Sequence, residues 1–376
     1  MYIKRIAEEN IKKIFNKEKK VMILYGPRQA GKTTLIKVLT ESIKNQTIFF
    51  NGDDIYAQKI FSNNELNALK PIIGNKKILV IDEAQRIQNI GLTLKLIIDN
   101  LPTTILVSGS ASFDLANKIN EPLTGRSQTF WLYPFSFSEL KEKYAATATE
   151  TALEEMLRFG MFPKIHTSTA DEEKQDYLYE YTNNYLFKDI LMFETVRKPK
   201  KILDLLTLLA LQIGNEVSVA ELAQNLSLSQ PTVANYLDLL EKMFVLYNVR
   251  GFSRNLRKEI SKTSKYYFYD VGLRNAIIRN FNPLQVRSDA GVLFENWFIM
   301  EKIKKAHNTK QYANFYFWRT YDQQEIDLIE EYGGKLFGWE CKFSEKKIPS
   351  APGDWQKNYP HAMFTAVNGQ NFLKWL

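Results

Sequence analysis

The sequence predicts an α/β chain whose leading part is a parallel sheet. Three observations carry this. Short apolar runs recur at spacings suited to βα units, at Val21–Leu24, Thr47–Phe50, Ile78–Ile81, Thr104–Val107 and Thr129–Leu132. Parallel strands covered on both faces read as such uninterrupted runs. Directly after the first run comes G-x-x-x-x-G-K-T, from Gly26 to Thr33, and then an amphipathic stretch with Leu35, Ile36, Val38 and Leu39 on its apolar side. Strand, glycine loop, helix is the context a phosphate-binding loop requires. From Ser218 onward the pattern changes to short helices and strand-like runs of a different order.

A chain of 376 residues has room for two or three domains with their own cores. Its 45% hydrophobic and 13% aromatic content belongs to folded rather than disordered proteins. A net charge of +8 permits a polyanionic partner without requiring one. The single cysteine, Cys341, rules out an internal disulfide and fits a reducing compartment. Met1-Tyr-Ile-Lys-Arg5 lacks the apolar core of a signal peptide, and no apolar run approaches the ~18–20 residues that span a bilayer. The expectation is a soluble, cytoplasmic protein with no membrane partner.

Taken in order, residues 3–20 read as a basic amphipathic helix with Ile3, Ile6, Ile11, Ile14 and Phe15 apolar. The five runs follow, closing the first domain near Tyr133-Pro134. From Ser136 to about Leu211 the pattern is helical, the place of a lid beside a nucleotide, and Gly160-Met-Phe-Pro163 breaks the helix there. Val219–Leu226 reads as a short helix and Gln230–Lys242 as a longer one, with Pro231 tolerated in its first turn. Strand-like runs at Phe244–Val249 and Tyr266–Tyr269 complete the order of a winged helix-turn-helix. Last come a helix at Phe294–Lys305 and strands at Phe315–Arg319, Glu325–Glu330 and Lys335–Phe343.

The chemistry lies in a few constellations. In the loop Gly26, Pro27, Arg28, Gln29, Ala30, Gly31, Lys32, Thr33, Thr34, the glycines let backbone N–H groups converge on phosphate oxygens, helped by the helix dipole. Lys32 would reach the β/γ-phosphates of a nucleoside triphosphate such as ATP, and the Thr33 hydroxyl would hold Mg²⁺. Lys77-Ile-Leu-Val-Ile-Asp82-Glu83 is a buried strand ending in two acids. There Asp82 would support the metal and Glu83 would polarise the attacking water. At the tip of the Thr104–Val107 run, Ser108 or Ser110 would sense the γ-phosphate, unless Ser108-Gly-Ser110 is only a strand-end turn. Arg126 is placed to neutralise charge on the transferred phosphoryl group, in its own subunit or, within a homo-oligomer, a neighbour's.

The region 250–265 gathers Arg250, Arg254, Arg257, Lys258, Lys262 and Lys265 against Glu259. Beside a helix-turn-helix this is a phosphate-contacting surface for DNA, although such modules also bind proteins. Ser229, Gln230, Thr232 and Asn235 open the reading helix. Finally, Glu325-Ile-Asp327 and Glu340-Cys-Lys342 sit in adjacent strand-like runs joined by Tyr332-Gly-Gly334. Glu340 and Lys342 share a face, and hairpin pairing brings Asp327 beside them. Asp327, Glu340 and Glu295 suit Mg²⁺, with Lys342 activating water; the plain alternative is a solvated hairpin.

These residues together resemble a prokaryotic branch of the AAA+ ATPases. The resemblance is carried by Gly26-Pro-Arg-Gln-Ala-Gly-Lys-Thr-Thr34, Ile81-Asp-Glu-Ala-Gln85, Ser108-Gly-Ser110, Leu123-Thr-Gly-Arg126 and Tyr133-Pro-Phe-Ser-Phe-Ser-Glu-Leu140. The second half is similar to the domain of unknown function that accompanies this ATPase, through Tyr267-Phe-Tyr-Asp-Val-Gly-Leu273, Gly291-Val-Leu-Phe-Glu-Asn296 and the Asp327/Glu340/Lys342 set. It implies a P-loop, AAA+-type ATPase domain (1–135), a helical lid (136–211), a winged helix-turn-helix (212–272) and a PD-(D/E)xK, restriction-endonuclease-like α/β domain (273–376). One departure is that Met161 and Lys164 stand where the family often has a second glycine and an acid. The expected function is ATP hydrolysis coupled to action on DNA, with a Mg²⁺-dependent nuclease site. The alternative is a nucleotide-switched DNA- or protein-binding regulator whose nuclease-like fold is inactive.

Overall fold

The computed structural model describes residues 2–15, 19–109, 122–147, 149–187, 190, 198–253, 264–344 and 349–376. Ser110, Arg254, Arg257, Lys258, Glu259 and Lys262 lie outside the described residues. The chain divides into two compact units, Met1–Pro134 with Lys242–Phe244, and Phe135–Glu241 with Val245–Leu376.

The first unit is built on a five-stranded sheet in the order β2-β3-β4-β1-β5. Its strands are β1 (Val21–Tyr25), β2 (Thr47–Asn51), β3 (Ile78–Asp82), β4 (Thr104–Gly109) and β5 (Ser127–Trp131), and every pairing is parallel. Each strand falls on one of the apolar runs. All residues of β1 and β3 are buried, because helices cover both faces. On one face Met22, Leu24, Val80 and Leu106 pack with Ile11, Leu35, Ile36 and Leu39, from the helices Ile6–Phe15 and Lys32–Thr40. The alternate residues Ile23, Leu79, Ile81, Ile105 and Val107 are as fully buried, and the helix Ile90–Asn100 packs against β4 on the remaining side. Parallel strands bring all their carboxyl ends to one edge, so Tyr25, Asp82 and Gly109 end at that edge. Phe244, counted with this unit, meets Trp131 edge-on at 5.6 Å.

The second unit opens with helices Phe137–Leu140, Thr149–Phe159, Asp171–Glu180 and Pro199–Leu211. Gly160 ends the second of these at φ +75, a left-handed backbone that glycine adopts without strain. Met161 and Lys164 leave the turn intact, because what holds it is Asp270. That buried carboxylate accepts from Met161 N at 2.7 Å, and caps the helix Val271–Ile277 by accepting from Gly272 N at 2.9 Å and Leu273 N at 3.2 Å. Helices Val219–Leu226 and Gln230–Lys242 follow the expected order, with Ser218 Oγ accepting from Glu221 N.

The strands of this unit are β6 (Glu216–Val217), β7 (Leu246–Gly251), β8 (Ser264–Phe268), β9 (Asn314–Arg319), β10 (Glu325–Tyr332), β11 (Lys335–Cys341) and β12 (Met363–Val367). They form one seven-stranded sheet, β12-β11-β10-β9-β7-β8-β6. The β7/β8 hairpin is therefore continuous with the C-terminal strands, through parallel pairing of β7 with β9. The long helix Ala290–Asn308 is tied to the sheet by Asn296, whose side chain both accepts from and donates to the Phe268 backbone, at 2.7 and 2.8 Å. The β10/β11 turn closes at Tyr332↔Lys335, with Gly333 and Gly334 at φ +57 and +75, the two-residue geometry that twists with its strands.

Candidate functional site

At the carboxyl edge of the first sheet the chain leaves β1 into Gly26–Gly31. Gln29 and Gly31 take left-handed φ values of 58 and 93, curling the loop so that its N–H groups line a concavity. Gly26 admits no side chain, because a Cβ there would lie 2.0 Å from the Leu132 carbonyl oxygen. Lys32 is buried and donates to the Gly26 and Pro27 carbonyls at 2.9 and 2.8 Å, so its ammonium is held inside the curl.

Asp82, at the tip of β3, collects three of the sequence-derived residues around one carboxylate. Thr33 Oγ1 donates to Asp82 Oδ2 at 2.6 Å, Ser108 Oγ donates to Oδ1, and Glu83 N donates to Oδ1 at 3.1 Å. Thr33, Asp82 and Ser108 thus offer a set of hard oxygen atoms suited to Mg²⁺. Glu83 is left-handed at φ 50, a conformation uncommon outside glycine. Two contacts keep it so. Gly52 N donates to Asp82 O at 2.7 Å, and Gly52 lies so close that a Cβ would come within 2.2 Å of Glu83 O. Gln85 Nε2 donates to Glu83 Oε2 at 2.5 Å. Gly52 escaped the sequence reading, although a glycine directly after a strand ending in Asn51 is the signal that marks such an approach.

Arg126 is not brought to this edge. Its carbonyl accepts from Val21 N at 2.9 Å and its side chain pairs with Asp99 at 2.7 Å, both where the strands begin. The length of β1, about 17 Å at ~3.3 Å per residue, separates it from the loop of its own subunit.

The second unit holds another cluster. Leu328 pairs with Trp339, so the next positions outward are Asp327 and Glu340. Asp327 is buried and accepts from Cys341 N at 2.7 Å. Tyr267 donates to Glu295 at 2.6 Å, and Lys342 pairs with Glu340 at 3.0 Å, leaving the buried Glu340 Oε2 without a hydrogen-bond partner. Burial, then the nearby Asp327 charge, pushes Glu295 up to about 8 and Glu340 up to about 7. Burial also raises Asp327, against the pull of Lys265. Burial disfavours the charge on Lys265, but Glu295, Glu325 and Asp327 outweigh it and raise its pKa.

One expectation changes here. Lys265 is not part of an exposed phosphate-contacting surface: it is 2% exposed and ion-paired with Glu325. Asp327, Glu340 and Glu295 lie close enough together for the Asp327 charge to raise the other two. Among the described residues no group of three or more His, Cys, Asp or Glu is arranged to hold a metal ion. Each of the three acids instead accepts from a protein donor. Also among the described residues, no helix is long and apolar enough to cross a membrane.

Comparison with known proteins follows the division of chemistry. Residues 18–141 match the family described as AAA domain. Residues 150–284 and 290–367 match two families each described as a domain of unknown function, DUF8612 and DUF4143. Residues 18–141 are thus similar to AAA domains, and most of the remainder to domains of unknown function. An uncharacterized protein of Mycobacterium tuberculosis is 27% identical over 326 residues, covering 86% of this chain and 70% of the relative. One of Methanocaldococcus jannaschii is 28% identical over 313 residues, covering 75% and 70%. Among solved structures, Thermotoga maritima RuvB covers 65% of this chain and 86% of its own, at 18% identity and a TM-score of 0.32, too loose for anything to transfer.

Proposed function

We propose that the AAA domain binds ATP with Mg²⁺ and hydrolyses it, and that the second unit uses this cycle to engage and release DNA without cutting it. The observation that carries the first part is the convergence of Thr33, Ser108 and the Glu83 amide on Asp82, beside the loop that encloses Lys32. Mg²⁺, when bound, neutralises charge on the β- and γ-phosphates, and Thr33 and Asp82 are the residues that would hold it. Gly26–Gly31 presents backbone donors to the phosphates, and Lys32 adds its ammonium. Glu83 orients and polarises the attacking water. Ser108 touches both Asp82 and the Glu83 amide, so it is placed to relay between γ-phosphate and water.

Support for DNA as the partner is the succession Val219–Leu226, Gln230–Lys242, β7, β8, the order of a winged helix-turn-helix, with Arg250 exposed on β7. Support for binding rather than cleavage is that, among the described residues, no group of three or more His, Cys, Asp or Glu is arranged to hold a metal ion. The C-terminal strands then serve as a nuclease-like scaffold.

Nucleotide binding and turnover test this. Lys32→Ala is expected to abolish ATP binding. Glu83→Gln is expected to bind ATP normally and hydrolyse it about 10²-fold more slowly, or worse. Turnover of Glu83→Gln at the wild-type rate would remove the water-positioning role. Incubating plasmid and single-stranded DNA with Mg²⁺ tests the rest: cleavage by wild type that disappears in Asp327→Asn would replace the binding reading with a nuclease.

A further inference from the structure

In the second unit, a cleft of about 350 Å³ opens beside the last turns of the helix Ala290–Asn308. That size lies in the range of small-molecule sites, roughly 300–1,000 Å³. Lys302, on its wall, comes seven residues after Glu295, about 10 Å along the helix axis, so the cleft is separate from the acid cluster.

The wall combines positive charge with indole faces. Lys302, Lys305 and Lys374 line it, with Glu330 as the only carboxylate. Glu330 is already occupied: it accepts from Lys302 at 3.0 Å, Trp339 Nε1 at 3.2 Å and Gln311 Nε2 at 3.1 Å. Lys302 Nζ also sits 4.1 Å from the centre of the Trp339 ring. Lys305 donates to the Trp375 carbonyl at 3.1 Å, and Lys374 is exposed with no ion-pair partner among the described residues. The indoles of Trp339 and Trp375 stand 5.4 Å apart at 68°.

Trp375 Nε1 is buried without a hydrogen-bond partner. A buried indole N–H normally finds an acceptor, so an orphan at the wall of a cleft points to a ligand that supplies one. Trp375, Lys374 and Thr365 also border a second cleft, of about 810 Å³, walled by Trp355 and Tyr359. Trp355 is 1% exposed, and its Nε1 is likewise buried and unpartnered.

We infer that this region is a nucleotide-binding site distinct from the P-loop, holding a base against Trp375, which Trp339 backs, and a phosphate against Lys305 and Lys374. Every base offers a π-face and oxygen or nitrogen acceptors, and its phosphate offers the anion that the lysines lack. The adjoining cleft gives room for the next nucleotide of a strand. A free nucleotide and a nucleotide within a single strand share this chemistry.

Calorimetric titration of the full chain carrying Lys32→Ala, which removes phosphate capture at the P-loop, separates them. The probes are thymidine monophosphate, a six-nucleotide oligothymidylate and inorganic phosphate. Saturable binding is expected, ten-fold or more weaker in Lys374→Glu, an exposed position where folding is not at stake, and weaker again in Trp375→Leu. Inorganic phosphate is expected to bind at least ten-fold more weakly than the nucleotide probes. Binding of the monophosphate identifies a free nucleotide as ligand; binding of the oligonucleotide alone identifies a strand. No saturable binding, binding that ignores both substitutions, or phosphate binding as tight as nucleotide would overturn the site. ATP hydrolysis by the chain with Lys32 intact is a separate measurement, so failure of one reading leaves the other standing.

Discussion

A carboxylate owes its behaviour to its neighbours, and the two acidic groups of this chain differ in that respect. Asp82 accepts from Thr33, Ser108 and the Glu83 amide, all polar oxygen or nitrogen groups at one strand tip. Glu295 and Glu340 are pushed up, by burial first and the Asp327 charge second. Unfolded, both would titrate near pH 4.3. Between that value and their folded values of about 8 and about 7, the folded chain keeps protons that the unfolded chain has released. Stability contributed here is therefore fully present at low pH and falls as pH rises through this window. The expected loss between pH 5 and pH 8.5 is on the order of 3 kcal/mol, the two shifts being coupled rather than additive. Urea unfolding across that range checks it. Glu340→Gln should flatten the slope, and an unchanged slope would show that the pair titrates as ordinary surface acids.

At the scale of elements, what could be read from the sequence is what is local. Of the five parallel strands, β1, β3 and β4 were legible because burial on both faces leaves a continuous apolar signature, and the P-loop because its spacing repeats a backbone requirement. The β10/β11 hairpin was legible from its paired glycines. Met363–Val367 was passed over although Asn368-Gly369 marks a turn after it: it is only five residues long and pairs with β11 at an edge. The union of β7 with β9 was invisible because pairing between distant segments leaves no local trace. Lys265 was misread for the same reason, since its partner Glu325 is sixty residues away. The Gly160 turn depends on a distant partner too. A Cβ there would meet Asp270 Oδ1 at 1.9 Å, on a backbone already at φ +75. Gly160→Ala should therefore cost about 3 kcal/mol or more, through overpacking and left-handed strain together. A lowered urea midpoint for the second unit is the readout. A shift below about 0.5 kcal/mol would mean that the Asp270 contact gives way at little cost, against the usual penalty for overpacking.

For the whole molecule, the proposed ATP hydrolysis bears on how many chains a complete site requires. The carboxyl edge of the first sheet holds Lys32, Thr33, Asp82, Glu83 and Ser108, whereas Arg126 lies where the strands begin, paired with Asp99 in a half-exposed position. No rotamer of Arg126 crosses the length of a strand to reach the loop of its own subunit. A role for its guanidinium in phosphoryl transfer thus requires a second copy that presents Arg126 to the first copy's nucleotide, and an exposed ion pair costs little to exchange for a phosphate. The prediction is a specific ATPase rate that rises with protein concentration until assembly is complete. At saturating concentration Arg126→Ala should lower the rate at least ~10-fold while leaving ATP affinity within about two-fold, because a charge that acts on the transition state contributes to kcat rather than to ground-state binding. Mixing Arg126→Ala with Glu83→Gln chains tests the geometry directly. Each supplies the group the other lacks, so mixed assemblies should recover activity that neither variant shows alone. A rate per chain independent of concentration, with no recovery on mixing, would confine Arg126 to its pairing with Asp99 and make the carboxyl edge complete within a single chain.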